Sequence, residues 1–243
     1  MNTRWMLAAL LLLPCSALAA PEINVGALYD YLESGKSTLV KRVRNGGDTT
    51  AFVKVSVVEL VYDQNGTPRE IAQDSLPMAE RGVVASPARL IVPANGMQAV
   101  RLLYRGGRDA ERYFRVRFVP VLPEAQDGFN LSEAEAEQYR EGLKAGVNLL
   151  AGYGTLLFVR PDQVLYDTPI DEQPSRLAVG NKGNATVILD RFRHCSRDGQ
   201  RCETTTKHHL LPGRTREFPR QEGWTYEFEL IEGRDRRELA IGG

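Results

Sequence analysis

Residues 86–104, SPARLIVPANGMQAVRLLY, followed after a short loop by residues 111–124, ERYFRVRFVPVLPE, decide the fold. They read as a strand, a Pro-Ala-Asn-Gly turn, a second strand, a loop and a third strand. Leu90 and Val92, then Val100 and Leu102, then Phe114, Val116 and Phe118 alternate with polar neighbours. A period of two puts one face on a core and the other in water, as in an antiparallel sandwich.

The same pattern extends in both directions. Residues 37–44 and 51–62 read as earlier strands, the second closed by an Asp63-Gln64-Asn65-Gly66 turn, and residues 72–84 read as an irregular excursion. Further on, Leu177-Ala178-Val179 leads into Asn181-Lys182-Gly183-Asn184-Ala185-Thr186 as a strand–turn–strand signal that residues 187–192 continue. Leu210-Leu211-Pro212-Gly213-Arg214 is another turn, and residues 226–231 and 237–241 read as a final hairpin. Between residues 123 and 146 the alternation stops. Ser132 followed by Glu135 forms a capping box, and residues 133–144 are rich in helix formers. That predicts a short exposed helix or a mobile loop, its acidic cluster a solvated face. The fold class is therefore all-β, with two immunoglobulin-like sandwiches of about 100 residues each, over residues 21–160 and 161–243.

The first 20 residues read as a signal peptide. Arg4 precedes an apolar run over residues 6–13, and Ala17-Leu18-Ala19 offers the small residues at which a signal peptidase cuts. The run is too short to cross a bilayer, and no later segment is apolar enough. Export to the periplasm follows. Removal of Cys15 with the leader leaves Cys195 and Cys202 around Ser196-Arg197-Asp198-Gly199, a hairpin signal. In an oxidising compartment these two are expected to form a disulfide. His194, His208 and His209 lie nearby, but adjacent histidines on a strand point to opposite faces, so polar surface positions are expected and no metal site.

Charge excludes more than it suggests. The chain has 31 Lys and Arg against 31 Asp and Glu, so neither nucleic acid nor an anionic membrane is indicated as a partner. No Gly-rich phosphate loop surrounds Gly106-Gly107 or Gly242-Gly243, and no G-x-S-x-G, HExxH or paired catalytic carboxylates stand in recognisable context. Neither a cofactor nor an enzymatic activity is expected.

Residues 147–161, VNLLAGYGTLLFVRP, are the unusual segment. Val147, Leu149, Ala151 and Tyr153 share one face, and no charge occurs from Val147 through Val159. Edge strands ordinarily carry guarding charges, so this one needs a partner to cover it. The residues alone leave open an internal core strand or an extension of the preceding helix.

The order Ser-Pro, Val-Pro, Asn-Gly, Val-Arg, Tyr-Phe-Arg-Val, with Leu157-Phe158-Val159-Arg160-Pro161 and Gly180-Asn181-Lys182-Gly183-Asn184-Ala185-Thr186, resembles PapD-like periplasmic pilus-assembly chaperones. The likeness extends over nearly the whole chain after the leader. It is nearest to the alternate chaperone–usher branch that serves Ecp-type common-pilus and colonisation-factor fimbriae. The resemblance implies two sandwiches at an angle and a non-enzymatic role. The last strand of the first domain would complete a pilus subunit's unfinished sheet, and the subunit would then pass to an outer-membrane usher. Val147, Leu149, Ala151 and Tyr153 would fill the subunit's groove. A free chaperone could hide this strand by pairing with a second copy.

Two departures stand out. Members of the family commonly anchor the subunit's carboxylate with an Arg on the first strand and a Lys on the donor strand, where this chain has Leu28 and Leu156. Candidate substitutes are Arg115 and Arg117, two apart on one strand and so on one face, and Lys41, which alternation places inward with Leu39 and Val43. The plainer readings are a solvent-facing arginine pair and a bulge that turns Lys41 outward. By the same resemblance, Arg160 would join an interdomain ion-pair network with Glu111 and Glu232 as partners, each exposed pair contributing little. A structural or adhesive pilus component, or an exported hydrolase, are the competing functions.

Overall fold

The computed structural model describes residues 20–63, 65–144 and 150–242. The expected signal peptide lies outside the described residues except for Ala20, and so do Val147 and Leu149. No helix among the described residues is long and apolar enough to cross a membrane.

The first half of the chain contains β1 (Ile23–Asn24), β2 (Tyr29–Leu32), β3 (Thr38–Asn45), β4 (Ala51–Tyr62), β5 (Pro68–Ala72), β6 (Val83–Ser86), β7 (Arg89–Val92), β8 (Met97–Tyr104), β9 (Arg112–Pro120) and β10 (Tyr153–Val159). One sheet runs β1-β3-β8-β6 and the other β2-β10-β9-β4-β5, with β7 on β4. The Pro-Ala-Asn-Gly turn therefore does not close a hairpin. It carries the chain from β7 in one sheet to β8 in the other, with Asn95 at φ 54°. Val53, Val55 and Val57, Val100 and Leu102, and Phe114, Val116 and Phe118 meet between the sheets in one cluster. Phe114 and Phe118 are fully buried, each contributing roughly 1.5–3 kcal/mol of apolar transfer energy.

The second half contains β11 (Ile170–Glu172), β12 (Arg176–Gly180), β13 (Val187–Ser196), β14 (Thr206–Leu210), β15 (Thr215–Pro219), β16 (Trp224–Glu232) and β17 (Asp235–Gly242). They form sheets β11-β12-β15 and β14-β13-β16-β17 around a second apolar cluster that shares no residue with the first. The segment expected as strand–turn–strand again crosses between sheets, from β12 to β13. Asn181 holds that crossing: its side-chain amide donates to Ala185 O at 2.9 Å and Leu210 O at 2.8 Å, and its Oδ1 accepts from Gly183 N at 3.0 Å. The final hairpin is β16–β17. Cys195 and Cys202 are joined, with Cα atoms 4.1 Å apart.

Helix α1 (Glu133–Lys144) has the expected cap. Ser132 N donates to Glu135 Oε2 at 2.8 Å and Glu135 N to Ser132 Oγ at 3.3 Å. The segment is a helix and not a loop, and it is not simply exposed. Ala136 and Leu143 are buried, the Tyr139 hydroxyl donates to Thr50 O at 2.6 Å, and the rings of Tyr139 and Phe129 stand edge-on to Phe52 at 4.8 and 5.3 Å. Phe52 lies on the outer face of β4, so the helix covers an apolar ring that the core does not.

Candidate functional site

The site is built on β10, which is sealed unequally on its two sides. Along one side it pairs antiparallel with β9 over its whole length, Tyr153 opposite Phe118 through Val159 opposite Arg112. Along the other it pairs in parallel with β2, but only from Leu156 opposite Tyr29 to Val159 opposite Leu32. Leu156 N donates to Leu28 O at 2.8 Å. Before that point, over Tyr153–Thr155, no strand among the described residues covers the outer edge.

Thr155, Leu157 and Val159 point into the core, and Tyr153 packs partly against it. Ala151 continues the same alternation and is exposed. The Thr155 side chain is 1% exposed, and its hydroxyl has no hydrogen-bond partner. Close approach favours Gly152, because a Cβ there would lie 3.1 Å from Phe118 O. The bare edge is therefore uncharged, with Tyr153 and Thr155 on its inward face, and paired along its other side with β9.

Leu28 and Leu156 do sit side by side, which places two apolar groups where a basic pair was sought. Of the candidate cations, Lys41 faces inward and is buried. No bulge turns it out: its Nζ lies 2.8 Å from Asp30 Oδ2 and donates to Ala27 O at 2.6 Å. Arg115 and Arg117 project from the outer face of β9, half-buried rather than free in solvent, and both grip the Glu70 carboxylate, Arg117 at 2.6 Å. Gly154 stands opposite Arg117, so no β10 side chain separates that arginine from the strand's edge.

Arg160 follows the last residue of β10 and enters the joint between the two halves. Its guanidinium donates to Glu111 Oε1 at 2.9 Å and Thr186 O at 2.7 Å, while Glu111 Oε2 accepts from Thr186 N at 2.8 Å. The pair is buried, with side chains 3% and 1% exposed. The expectation of an exposed contact is thus corrected. Burial pushes the Glu111 carboxyl above the usual range, and its bonds to Thr186 and the Arg160 charge pull it part of the way back. Glu232 is not a hydrogen-bond partner of Arg160; it accepts from Thr168 at 2.7 Å and Arg237 at 2.8 Å.

Histidines depart furthest from their expected positions. His209 lies in the joint, its Nε2 2.6 Å from the Tyr31 hydroxyl and its ring stacked on Phe158 at 5.0 Å. Burial, with help from Lys207, holds its imidazole down at about 4. His194 is buried against Tyr226. His208 and His209 retain partial exposure, and no cluster of metal-ligating residues occurs among the described residues.

No protein-family model matches the chain. It is 29% identical over 218 residues to a probable fimbrial chaperone EcpB of Klebsiella pneumoniae, covering 88% of both chains. To a protein of the same name from Escherichia coli O157:H7 it is 26% identical over 221 residues, covering 90% of each. The chain is a homologue of these fimbrial chaperones. Solved chaperones of this kind share its two-sandwich fold. The Class 5 fimbriae chaperone CfaA superposes with a TM-score of 0.57 at 14% identity, covering 91% of this chain and 99% of that one. The Escherichia coli chaperone DraB gives 0.56 at 15% identity, covering 92% and 98%.

Proposed function

We propose that the protein is a periplasmic chaperone that assists pilus-subunit assembly by lending the bare edge of β10 to a subunit's incomplete sheet. Residues 21–160 and 161–243 act as its two domains, with a signal peptide over residues 1–20 removed on export. The single observation that carries the reading is the half-sealed strand: β2 covers β10 from Leu156 onward and leaves Tyr153–Thr155 open. An uncharged open edge of this kind is a pairing template. Ala151 and Tyr153, with Val147 and Leu149 before them, are the groove-filling set. Arg115 and Arg117 are the nearer carboxylate anchor, since both are partly exposed and a subunit carboxylate can compete with Glu70 for them, whereas Lys41 is buried with Asp30. Arg160 and Glu111 fix the angle at which the domains present the strand. Capping needs no chemistry at a reactive centre, in keeping with the names its homologues carry. Release to an outer-membrane usher is the onward step, and a second copy of the chain is the cover when no subunit is present.

The test is periplasmic co-expression with fimbrial subunits from the same organism. The wild type is expected to recover soluble monomeric subunits. Ala151→Asp is expected to recover few, with an unchanged thermal melt because Ala151 is exposed. Undiminished recovery by that variant would overturn the donor-edge reading, and co-purification of polymers of the protein itself would point to a pilus subunit instead.

A further inference from the structure

The second sandwich has an open side of its own. β14 and β15 are consecutive, yet each is the edge of a different sheet, and toward the disulfide their sheets part over a cavity of about 490 Å³. That volume suits a small ligand or one or two side chains of a peptide. Its floor is aromatic: Phe192 stacks on Phe218 at 4.3 Å and lies 5.3 Å from Tyr226. His194 stacks flat on Tyr226 at 4.2 Å, and His208 meets Phe192 edge-on at 5.0 Å.

Two devices put these groups there. The first is a bulge in β13. Val187 and Leu189 face the core, but register shifts after Leu189, and Arg191 takes φ 50°, a conformation that non-glycine residues seldom adopt. Inward positions consequently pass from odd to even numbers. Phe192 and His194 line the cavity, whereas an unbroken strand would have turned Arg191 and Arg193 into it. Arg193 instead reaches outward to Glu227 at 2.6 Å.

The second device is Arg216, which shares the inward face of β15 with Phe218. Its guanidinium carbon lies 5.7 Å from the Phe218 ring centroid. No carboxylate lies within ion-pair distance of it among the described residues, although Arg176, Arg193, Arg236 and Arg237 in the same sandwich each have one. The acid on the cavity wall, Glu203, faces His194 at 4.0 Å. Burial holds His208 below its ordinary value. Arg220, also on the cavity wall, has no carboxylate partner either, but its guanidinium donates to Gln173 O at 3.0 Å and to Gly242 O, so among the described residues Arg216 is the lining cation that neither a carboxylate nor a carbonyl holds. An inward charge on an edge strand also deters sheet pairing, but that role requires neither an aromatic floor nor a bulge.

We infer that this cavity binds a planar aromatic group carried next to a carboxylate, the ring against Phe192 and Phe218 and the carboxylate on Arg216. The site lies in the other sandwich from the donor edge and is independent of it.

The experiment titrates the ¹⁵N-labelled protein with N-acetyl-L-phenylalanine and, separately, with its amide. The acid is expected to bind with a dissociation constant on the order of 1 mM, shifting the amides of Thr206, His208 and Phe218 and the indole of Trp224, 4.9 Å from His194. The amide is expected to bind at least about fivefold more weakly. Arg216→Gln should erase that difference while leaving the rest of the spectrum in place. Phenylacetate and Ac-Gly-Gly-Phe then separate the sources: similar binding assigns a small aromatic acid, and tighter peptide binding assigns a polypeptide's C-terminal residue. Equal binding of acid and amide, or no shifts around the cavity, overturns the inference.

Discussion

His209 Nε2 and the Tyr31 hydroxyl, 178 positions apart in the chain, lie 2.6 Å apart in the joint between the sandwiches. The Tyr31 phenol is raised, chiefly by burial, so it stays protonated and shares a hydrogen bond with a neutral imidazole. Lys207, His208 and Arg160 oppose a proton on His209, and Asp190 favours one. With the folded value near 4 and the unfolded value near 6.5, the unfolded chain takes the proton first as pH falls. Stability is therefore lost from about pH 6.5 down to about 4. Glu111, raised in the fold, contributes with the opposite sign. His209→Gln, whose amide can still bond the Tyr31 hydroxyl, is expected to lose about 1–2 kcal/mol less than wild type between pH 7.5 and 5 in urea unfolding, after allowance for partial solvent exposure. An identical loss in both proteins would refute the linkage.

Removing one member of the buried pair at the joint should be severe. Glu111→Gln leaves the buried Arg160 charge with neutral acceptors only and no counter-charge, at a cost of about 3 kcal/mol or more. In calorimetry the two sandwiches should then begin to melt separately. A change below about 0.5 kcal/mol would mean that the joint is held by other contacts.

Lys41 and Asp30 should behave as a coupled unit. Lys41→Met alone strands the Asp30 carboxylate, costing about 3 kcal/mol. The double variant Lys41→Met with Asp30→Asn should cost clearly less than the two single losses combined. Additive losses in a urea-unfolding cycle would show that the two groups are not coupled.

Helix α1 depends on Tyr139. Replacing it with Ala removes the bond to Thr50 and the edge-on contact with Phe52, about 2–3 kcal/mol locally. Hydrogen exchange of the α1 amides should accelerate more than tenfold, with β9 and β10 unaffected. Unchanged protection of the helix would place its anchor elsewhere.

Alternation in the sequence made the faces of β4, β8 and β9 legible, and Ser132 with Glu135 located the start of α1 almost to the residue. A period of two tells inside from outside, but not to which sheet a strand belongs. That is why the turns at Pro93–Gly96 and Asn181–Thr186 concealed crossings between sheets. β2 was invisible: four residues, Tyr-Asp-Tyr-Leu, show no clean alternation, and their partner β10 lies more than 120 positions further on. His209 could not be placed because its surroundings come from the other half of the chain. The parity change at Arg191 did leave a trace, since Val187 and Leu189 are followed by Phe192 rather than by an apolar residue at 191. For the candidate site, the uncharged run was readable from the residues, whereas Glu70's hold on Arg115 and Arg117 required the fold.

β10 has a bare lip at one end, and its other end runs directly into Arg160, which is bolted to Glu111 of one sandwich and Thr186 of the other. An extended strand hydrogen-bonded along its flank is stiff lengthwise, at about 3.3 Å per residue. A pull on the Tyr153 end would therefore be carried as tension to the joint instead of being absorbed on the way. Traction by whatever takes the cargo would load the hinge, and a hinge that yields would slacken the grip.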